Sequence, residues 1–294
     1  MITGAIDHQL GCRLPVEQWG TLNRVEAFRD PDLMKFVAPF PPAELMQNTT
    51  GVISNEDFAS HGADFWLELS AASQKELSQF DSVLDFGCGC GRLARMFKGY
   101  QGRYAGCDID RRHVEWCSTA LTYMDAKLSR VHPPTPFADS EFEAVISISI
   151  FTHLTEASQD EFLQELARVC RPDGLLFLTT HGARSLERAV TEPGVRAMLD
   201  VPDDLFQGAR QRFAEGKHAF VLQKEGHLTT ISDQGLRTDR IISEPFEYGI
   251  TFIPESYVRK EWAKWFHIVD YRSGAIHDFQ DIVVLKPKKY QSSG

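Results

Sequence analysis

The sequence predicts a doubly wound α/β fold, preceded by an N-terminal helical cap and interrupted by an insertion after the fifth strand. Three observations carry this reading. Short β-rich runs alternate with helix-patterned segments through residues 81–182, the rhythm of βαβ units on a parallel sheet. A glycine turn, Gly87-Cys-Gly-Cys-Gly91, follows the first of those runs. Two closing β-rich runs are joined through Gly274 by a link too short for the crossover that a parallel pair needs, so they are antiparallel.

Residues 1–80 read as helical pieces separated by Pro15, Pro31, Pro39, Pro41 and Pro42. The best defined piece starts near Asn55, a capping residue followed by acidic Glu56 and Asp57, and turns Phe58, Phe65, Leu69 and Leu77 inward. In the core, 81–182, strand one is 82–86, a helix covers 92–97, strand two is 103–108 and a helix lies around 114–124. A proline-rich crossing at 132–136 precedes 144–150, read as strand four. The helix 156–170 sets Phe162, Leu163, Leu166 and Val169 on one face, and Pro172-Asp-Gly174 ends it before strand five at 175–180. Residues 183–254 break the βα rhythm and form a substrate-side insertion, since such segments cover or shape pockets. Residues 255–290 return a helix, 255–264, and the antiparallel strands 266–271 and 281–285.

Composition narrows the function classes. Forty-one acidic against thirty-one basic side chains leave a net charge of −10, without the concentrated basic footprint that nucleic-acid binding needs. No apolar run reaches the length of a membrane span and the first residues lack the pattern of an export signal, so a cytoplasmic location is expected. Of the six cysteines, Cys88 and Cys90 form a C-x-C with no second pair at zinc-binding distance, and the others suggest no disulfide framework. Neither a metal nor a membrane or nucleic-acid partner is expected.

The run Val83–Phe97 is a buried strand entering a glycine turn, the context of a nucleotide-type fingerprint. Glycine permits the tight reversal and the close approach of a cofactor to the backbone. Asp108 lies twenty-one residues beyond Gly87 at the end of strand two, where a carboxylate can accept both hydroxyls of a ribose. Asp85, two residues before the first glycine, separates the adenosine cofactors. A carboxylate there repels a dinucleotide pyrophosphate and attracts the cationic amine of a methionine moiety, so S-adenosylmethionine is favoured over NAD.

These residues resemble a known family. Asp85-Phe-Gly-Cys-Gly-Cys-Gly-Arg92, Gly106-Cys-Asp-Ile-Asp110, Phe142-Glu-Ala-Val145 before Ser149-Ile-Phe-Thr-His-Leu154, and Val169-Cys-Arg-Pro-Asp-Gly-Leu175 look like the successive motifs of class I S-adenosylmethionine-dependent methyltransferases. The resemblance implies a Rossmann-like, seven-stranded sheet with an antiparallel last strand, Asp108 on the ribose, Asp85 near the methionine end, and S-adenosylhomocysteine as product. More loosely, Pro254-Glu-Ser-Tyr-Val258 and Gln280-Asp-Ile-Val-Val-Leu285 are similar to the ends of small bacterial methyltransferases linked to secondary metabolites or glycans. Where many members carry an acid for the adenine amino group, this chain reads VHPPTPF, which leaves His132 or backbone groups. The expected cofactor contacts are Asp85, Gly87, Cys88, Gly89, Gly91, Asp108, Ile109, His132, Ile148 and Ser149.

Methyl transfer from a sulfonium needs alignment of the acceptor and, for some acceptors, removal of a proton. His153 and His181 follow strands four and five, beyond the carboxyl ends where ligands bind in open α/β sheets, and either imidazole can serve as base. Tyr271, Arg272, His277, Gln280 and Asp281 lie near the start of the antiparallel strand, on the same edge. Arg272 and Asp278 read better as a solvated hairpin tip. Phe58, Phe65, Trp66, Phe246, Tyr248 and Phe252 are either core or an apolar acceptor wall. SISIFTHL stands where amino-methylating enzymes of nucleic acid and protein often place Asn-Pro-Pro-Tyr, which favours a small-molecule acceptor. An NAD-dependent oxidoreductase or epimerase on a similar fold, and a non-catalytic cofactor-binding protein, are the alternatives.

Overall fold

A computed structural model describes residues 37–223 and 247–288, together with Gln18, Gly20 and Pro31. The helical pieces expected before residue 37, Cys12, Phe246 and the last few residues lie outside this range. The described residues fall in two compact units, 37–128 and 129–223 with 247–288; the division falls inside the segment 81–182.

In the first unit, α1 (Ala43–Thr50) ends on Gly51 in the left-handed conformation, as helix ends favour. Helix α2 (Asn55–Ala72) is capped by Ser54, whose Oγ accepts from the Asp57 amide at 3.0 Å. The cap stands one residue before Asn55 because the serine side chain reaches the orphan amide. Phe58, Phe65 and Leu69 are buried as the periodicity requires, joined by Trp66, while Leu77 is buried from a 3-10 turn beyond the helix. Strands β1 (Ser82–Phe86), β2 (Arg103–Asp108) and β3 (Met124–Leu128) are parallel in the order β3-β2-β1. The α-helix expected over 92–97 is instead a 3-10 segment, Ala94–Phe97; it is confined between Gly91 and Gly99, both at positive φ. Helix α3 (Arg111–Ala120) is capped by Asp110, whose side chain accepts from the Arg112 amide at 2.9 Å. It starts three residues earlier than expected and ends at Ala120, a few residues before β3. The half-polar MDAKL sequence of β3 holds no β-branched or aromatic residue, the types that favour strands.

In the second unit, β4 (Phe142–Ser147) pairs in parallel with β5 (Cys170–His181), and α4 (Glu156–Val169) connects them. Thr155 caps α4 by accepting from the Ser158 amide at 3.2 Å. Strand β5 begins earlier than expected, with Pro172-Asp-Gly174 taken up in a shift of register between Cys170 and Leu175. The described residues of the insertion hold regular elements: α5 (Ala183–Thr191), α6 (Pro193–Leu199), α7 (Asp203–Ala214) and the antiparallel strands β6 (Ala219–Leu222) and β7 (Gly249–Phe252) close on Leu199, Val201, Phe206, Val221, Ile250 and Phe252. After α8 (Glu255–Glu261) and a 3-10 turn, β8 (Phe266–Ile276) and β9 (Gln280–Pro287) form an antiparallel hairpin, and β9 runs antiparallel to β5. The expected antiparallel ending is present, and β6 and β7 bring the strands among the described residues to nine.

Candidate functional site

The first unit builds the glycine turn. The amides of Gly87 and Cys88 both donate to the Cys107 carbonyl, at 2.9 and 3.0 Å, so the turn is tied to β2. Gly87, Gly89 and Gly91 all have positive φ, at 77°, 52° and 84°, a region costly to residues with a Cβ. The space a side chain on Gly89 would take is filled by Thr49 of α1, whose Cγ2 lies 2.5 Å from an added Cβ.

Two carboxylates flank this turn and differ in state. Asp85, on β1, is buried and accepts from the Tyr104 hydroxyl at 2.9 Å. Burial pushes its pKa up to about 7, against the opposing pull of the Tyr104 hydroxyl and Arg92. Asp108, at the end of β2, accepts from the Gly89 amide through Oδ2 at 2.8 Å and from the Asp110 amide through Oδ1 at 2.8 Å, with His113 Nδ1 at 3.4 Å. Burial raises its pKa, but His113 and the two backbone amides outweigh burial and hold it below the usual value. His113 Nε2 lies 3.4 Å from Thr49 Oγ1, and Thr49 Oγ1 lies 3.2 Å from Cys90 Sγ. A carboxylate thus connects through an imidazole to the end of α1. Cys88 is buried and Ile109 half-buried.

The sequence did not single out Tyr104, His113 or Thr49. His113 had a weak signal, since it lies in the first turn of α3 just beyond Asp108. Thr49 had none, being forty residues from Gly89 along the chain.

The second unit gathers another cluster. Ser149, just beyond β4, sits at φ 59°; its amide donates to Thr179 Oγ1 at 2.7 Å and its hydroxyl meets the Gln280 side-chain amide, Nε2 at 3.0 Å. Ile148 beside it is buried. His153 donates from Nδ1 to the Gly249 carbonyl at 2.7 Å and stacks on Tyr248 with ring centroids 4.5 Å apart. The backbone fixes this arrangement: the Thr251 amide donates to the Thr152 carbonyl and the Ile253 amide to the His181 carbonyl, both at 2.8 Å. The His181 ring is 6.4 Å from that of His153 and 5.0 Å from Phe279. His181 is buried, and desolvation lowers its pKa to about 3, so it is a neutral imidazole near pH 7 and a weak proton acceptor.

Strand pairing sets His181 opposite Gln280 and Thr180 opposite Asp281, so the start of β9 does lie beside the end of β5. Asp281 is buried, bonded by the Tyr271 hydroxyl and, at 2.8 Å, the Gly274 amide. Arg272 pairs with Asp270 and Asp278 with Arg184 on the surface, as a solvated hairpin would. Phe58, Phe65, Trp66 and Phe252 are core residues. His132 is not brought together with Ile148 and Ser149. It pairs with Glu161 at 3.1 Å and lines a groove with Ser140, Cys170, Pro172 and Pro287, at the edge where β4 and β5 begin. Among the described residues no group of three or more His, Cys, Asp or Glu is placed to hold a metal, and no helix is long and apolar enough to cross a membrane.

Residues 84–178 match the methyltransferase domain family. Methyltransferase GfsG of Streptomyces halstedii is 24% identical over 218 residues, 67% of this chain and 73% of that protein. The cyclopropane-fatty-acyl-phospholipid synthase of Escherichia coli K12 is 21% identical over 181 residues, 57% of this chain and 46% of the synthase. Among solved structures, the PH0226 protein of Pyrococcus horikoshii OT3 superposes with a TM-score of 0.56 at 16% identity, covering 85% of this chain and 100% of that one, which shows a shared fold. The matched domain and the α/β architecture support a class I S-adenosylmethionine-dependent methyltransferase.

Proposed function

We propose that this methyltransferase acts on a small-molecule acceptor, with S-adenosylmethionine seated on the turn at Gly87, Gly89 and Gly91 and His153 as the proton acceptor. The cofactor, when bound, supplies a methyl group already activated by the sulfonium charge. The residues present suit it. Asp85 offers a buried carboxylate to the methionine amine. Asp108 has engaged three donors, leaving carboxylate lone-pair capacity for a ribose hydroxyl.

The observation that carries the choice of base is the His153–Gly249 bond at 2.7 Å. A carbonyl accepts only, so the Nδ1 proton is committed and Nε2 is the basic nitrogen of the neutral ring. Tyr248 stacking holds the ring plane. His153 Nε2 would take the proton that a hydroxyl or amine acceptor gives up as it receives the methyl group. His181, neutral and buried, is assigned to packing against this ring rather than to proton transfer.

The test is calorimetry with S-adenosylmethionine and NAD, followed by mass spectrometry of an acceptor pool incubated with methyl-labelled cofactor. We expect binding of S-adenosylmethionine and label in a small product. Binding of NAD alone overturns the cofactor reading, and label recovered only in protein or nucleic acid overturns the acceptor class.

A further inference from the structure

We propose that Tyr104 is a positioning residue of the cofactor seat: its hydroxyl orients the Asp85 carboxylate and favours its ionised form, so that capture of a cationic amine at Asp85 releases one proton to solvent. This rests on the reading of Asp85 as partner of the methionine amine.

The strand register creates the contact. Asp85 stands opposite Gly106, and Tyr104 opposite Val83. Side chains two apart on a strand share a face, so Tyr104 is the diagonal neighbour of Asp85, a separation that aromatic side chains bridge. The intervening Gly106 has no room for a side chain: an added Cβ would lie 2.2 Å from Met124 Cε and 3.0 Å from Cys88 Cβ. Phe97 packs on the Tyr104 ring with centroids 4.5 Å apart and fixes where its hydroxyl points. Both partners are buried, at 2% and 3% exposure, so the 2.9 Å bond is not exchanged for water. A hydrogen bond to a charged acceptor in such a place is among the stronger ones.

The other titratable groups that act on Asp85 are Arg92, just past the turn, and Asp108 at the end of β2, while the pKa of Cys88 in the turn is itself raised by Asp85. Arg92 favours the carboxylate, Asp108 opposes it, and burial opposes it most, leaving a pKa of about 7. The Tyr104 hydroxyl itself is pushed well above its ordinary value by burial and by Asp85, so it stays a donor across the working range. In the free protein near neutrality Asp85 is therefore divided between acid and carboxylate. An ammonium group binds the carboxylate form, and the balance is acid plus ammonium giving the ion pair plus one proton.

The experiment is calorimetry of S-adenosylmethionine binding to the full chain between pH 5.5 and 7.5, in buffers of different ionisation enthalpy, with thermal melts as a check on folding. For the unaltered protein we expect affinity to rise with pH and close to one proton to be released at pH 6. Tyr104→Phe removes the donor and keeps the ring; affinity at pH 6.5 should fall roughly ten- to a hundredfold, with the rising limb displaced to higher pH. Asp85→Asn should bind weakly with no rising limb, and adding Tyr104→Phe to it should cost little more. Binding without proton release in the unaltered protein overturns the proposal even if every variant unfolds. So does a Tyr104→Phe profile that superposes on the original. Failure of the unaltered protein to bind S-adenosylmethionine instead defeats the cofactor reading itself.

Discussion

Asp108 closes the glycine turn on which it acts: its Oδ2 accepts the Gly89 amide at 2.8 Å, so the carboxylate assigned to the ribose also holds the backbone that approaches the cofactor. On the proposed reading, one residue serves binding and architecture together. Asp108→Ala is expected to lose stability by about 2 kcal/mol, the scale of a charge-assisted bond left unmade, and to weaken S-adenosylmethionine binding at least tenfold, while the bound-state rate changes less. Urea denaturation and calorimetry separate the two losses.

Gly89→Ala places a Cβ 2.5 Å from Thr49 Cγ2 at a φ of 52°. The left-handed conformation alone costs roughly 1–2 kcal/mol, and the clash with α1 adds to it. Thr49→Ser removes the clashing methyl. The double variant should therefore lose less stability than the two single losses summed, and strict additivity in urea melts would show that α1 does not rest on the turn.

His153→Ala removes the proposed base while leaving the cofactor residues of the first unit intact. We expect turnover to drop by about 10²- to 10⁴-fold, the usual contribution of a positioned general base, with S-adenosylmethionine affinity little changed. Single-turnover assays with labelled cofactor measure it, and an unaffected rate would take His153 out of the mechanism.

His181 and His218 make stability fall in acid. Burial depresses the pKa of His181 to about 3 and that of His218 to about 4, for His218 against the opposing pull of Glu156. The unfolded chain therefore binds more protons below pH 6.5, and stability declines as pH falls from there toward 4. At pH 5 each histidine costs about 2 kcal/mol relative to pH 7. Melting temperatures followed from pH 7 to 5 should fall more for the original protein than for His181→Leu, whose curve should be flatter.

Much of the fold was legible because it is written locally. Strand β1, the positive-φ glycines behind it and the apolar face of α4 each follow from residues within a dozen positions of one another, and Asp108 follows from its spacing of twenty-one residues beyond Gly87. The antiparallel ending was legible because a short link through Gly274 forbids a crossover. The errors are also local in origin. The segment after Gly91 carries helix-forming residues, yet its confinement between two positive-φ glycines leaves only a 3-10 turn. Strand β3, MDAKL, has no β-branched or aromatic residue to announce it. The place of His132 at the beginning edge of β4 and β5 follows from the path of the chain, which spacing does not encode.

The sequence by itself determined the α/β class, the glycine turn with its two flanking acids, and the order of elements that brings His153 and His181 to strand ends. Tertiary structure alone decided which of those groups ionise and what they touch. Asp85 and Asp108 are the same residue type two strands' ends apart, but burial governs the first while His113 and two backbone amides govern the second. Likewise His153 keeps a committed Nδ1 proton because Gly249, ninety-six residues on, presents a carbonyl to it, and His181 is silenced by desolvation. Charge state and hydrogen-bond commitment depend on what surrounds a group in space, and neither is carried by the neighbours a residue has along the chain.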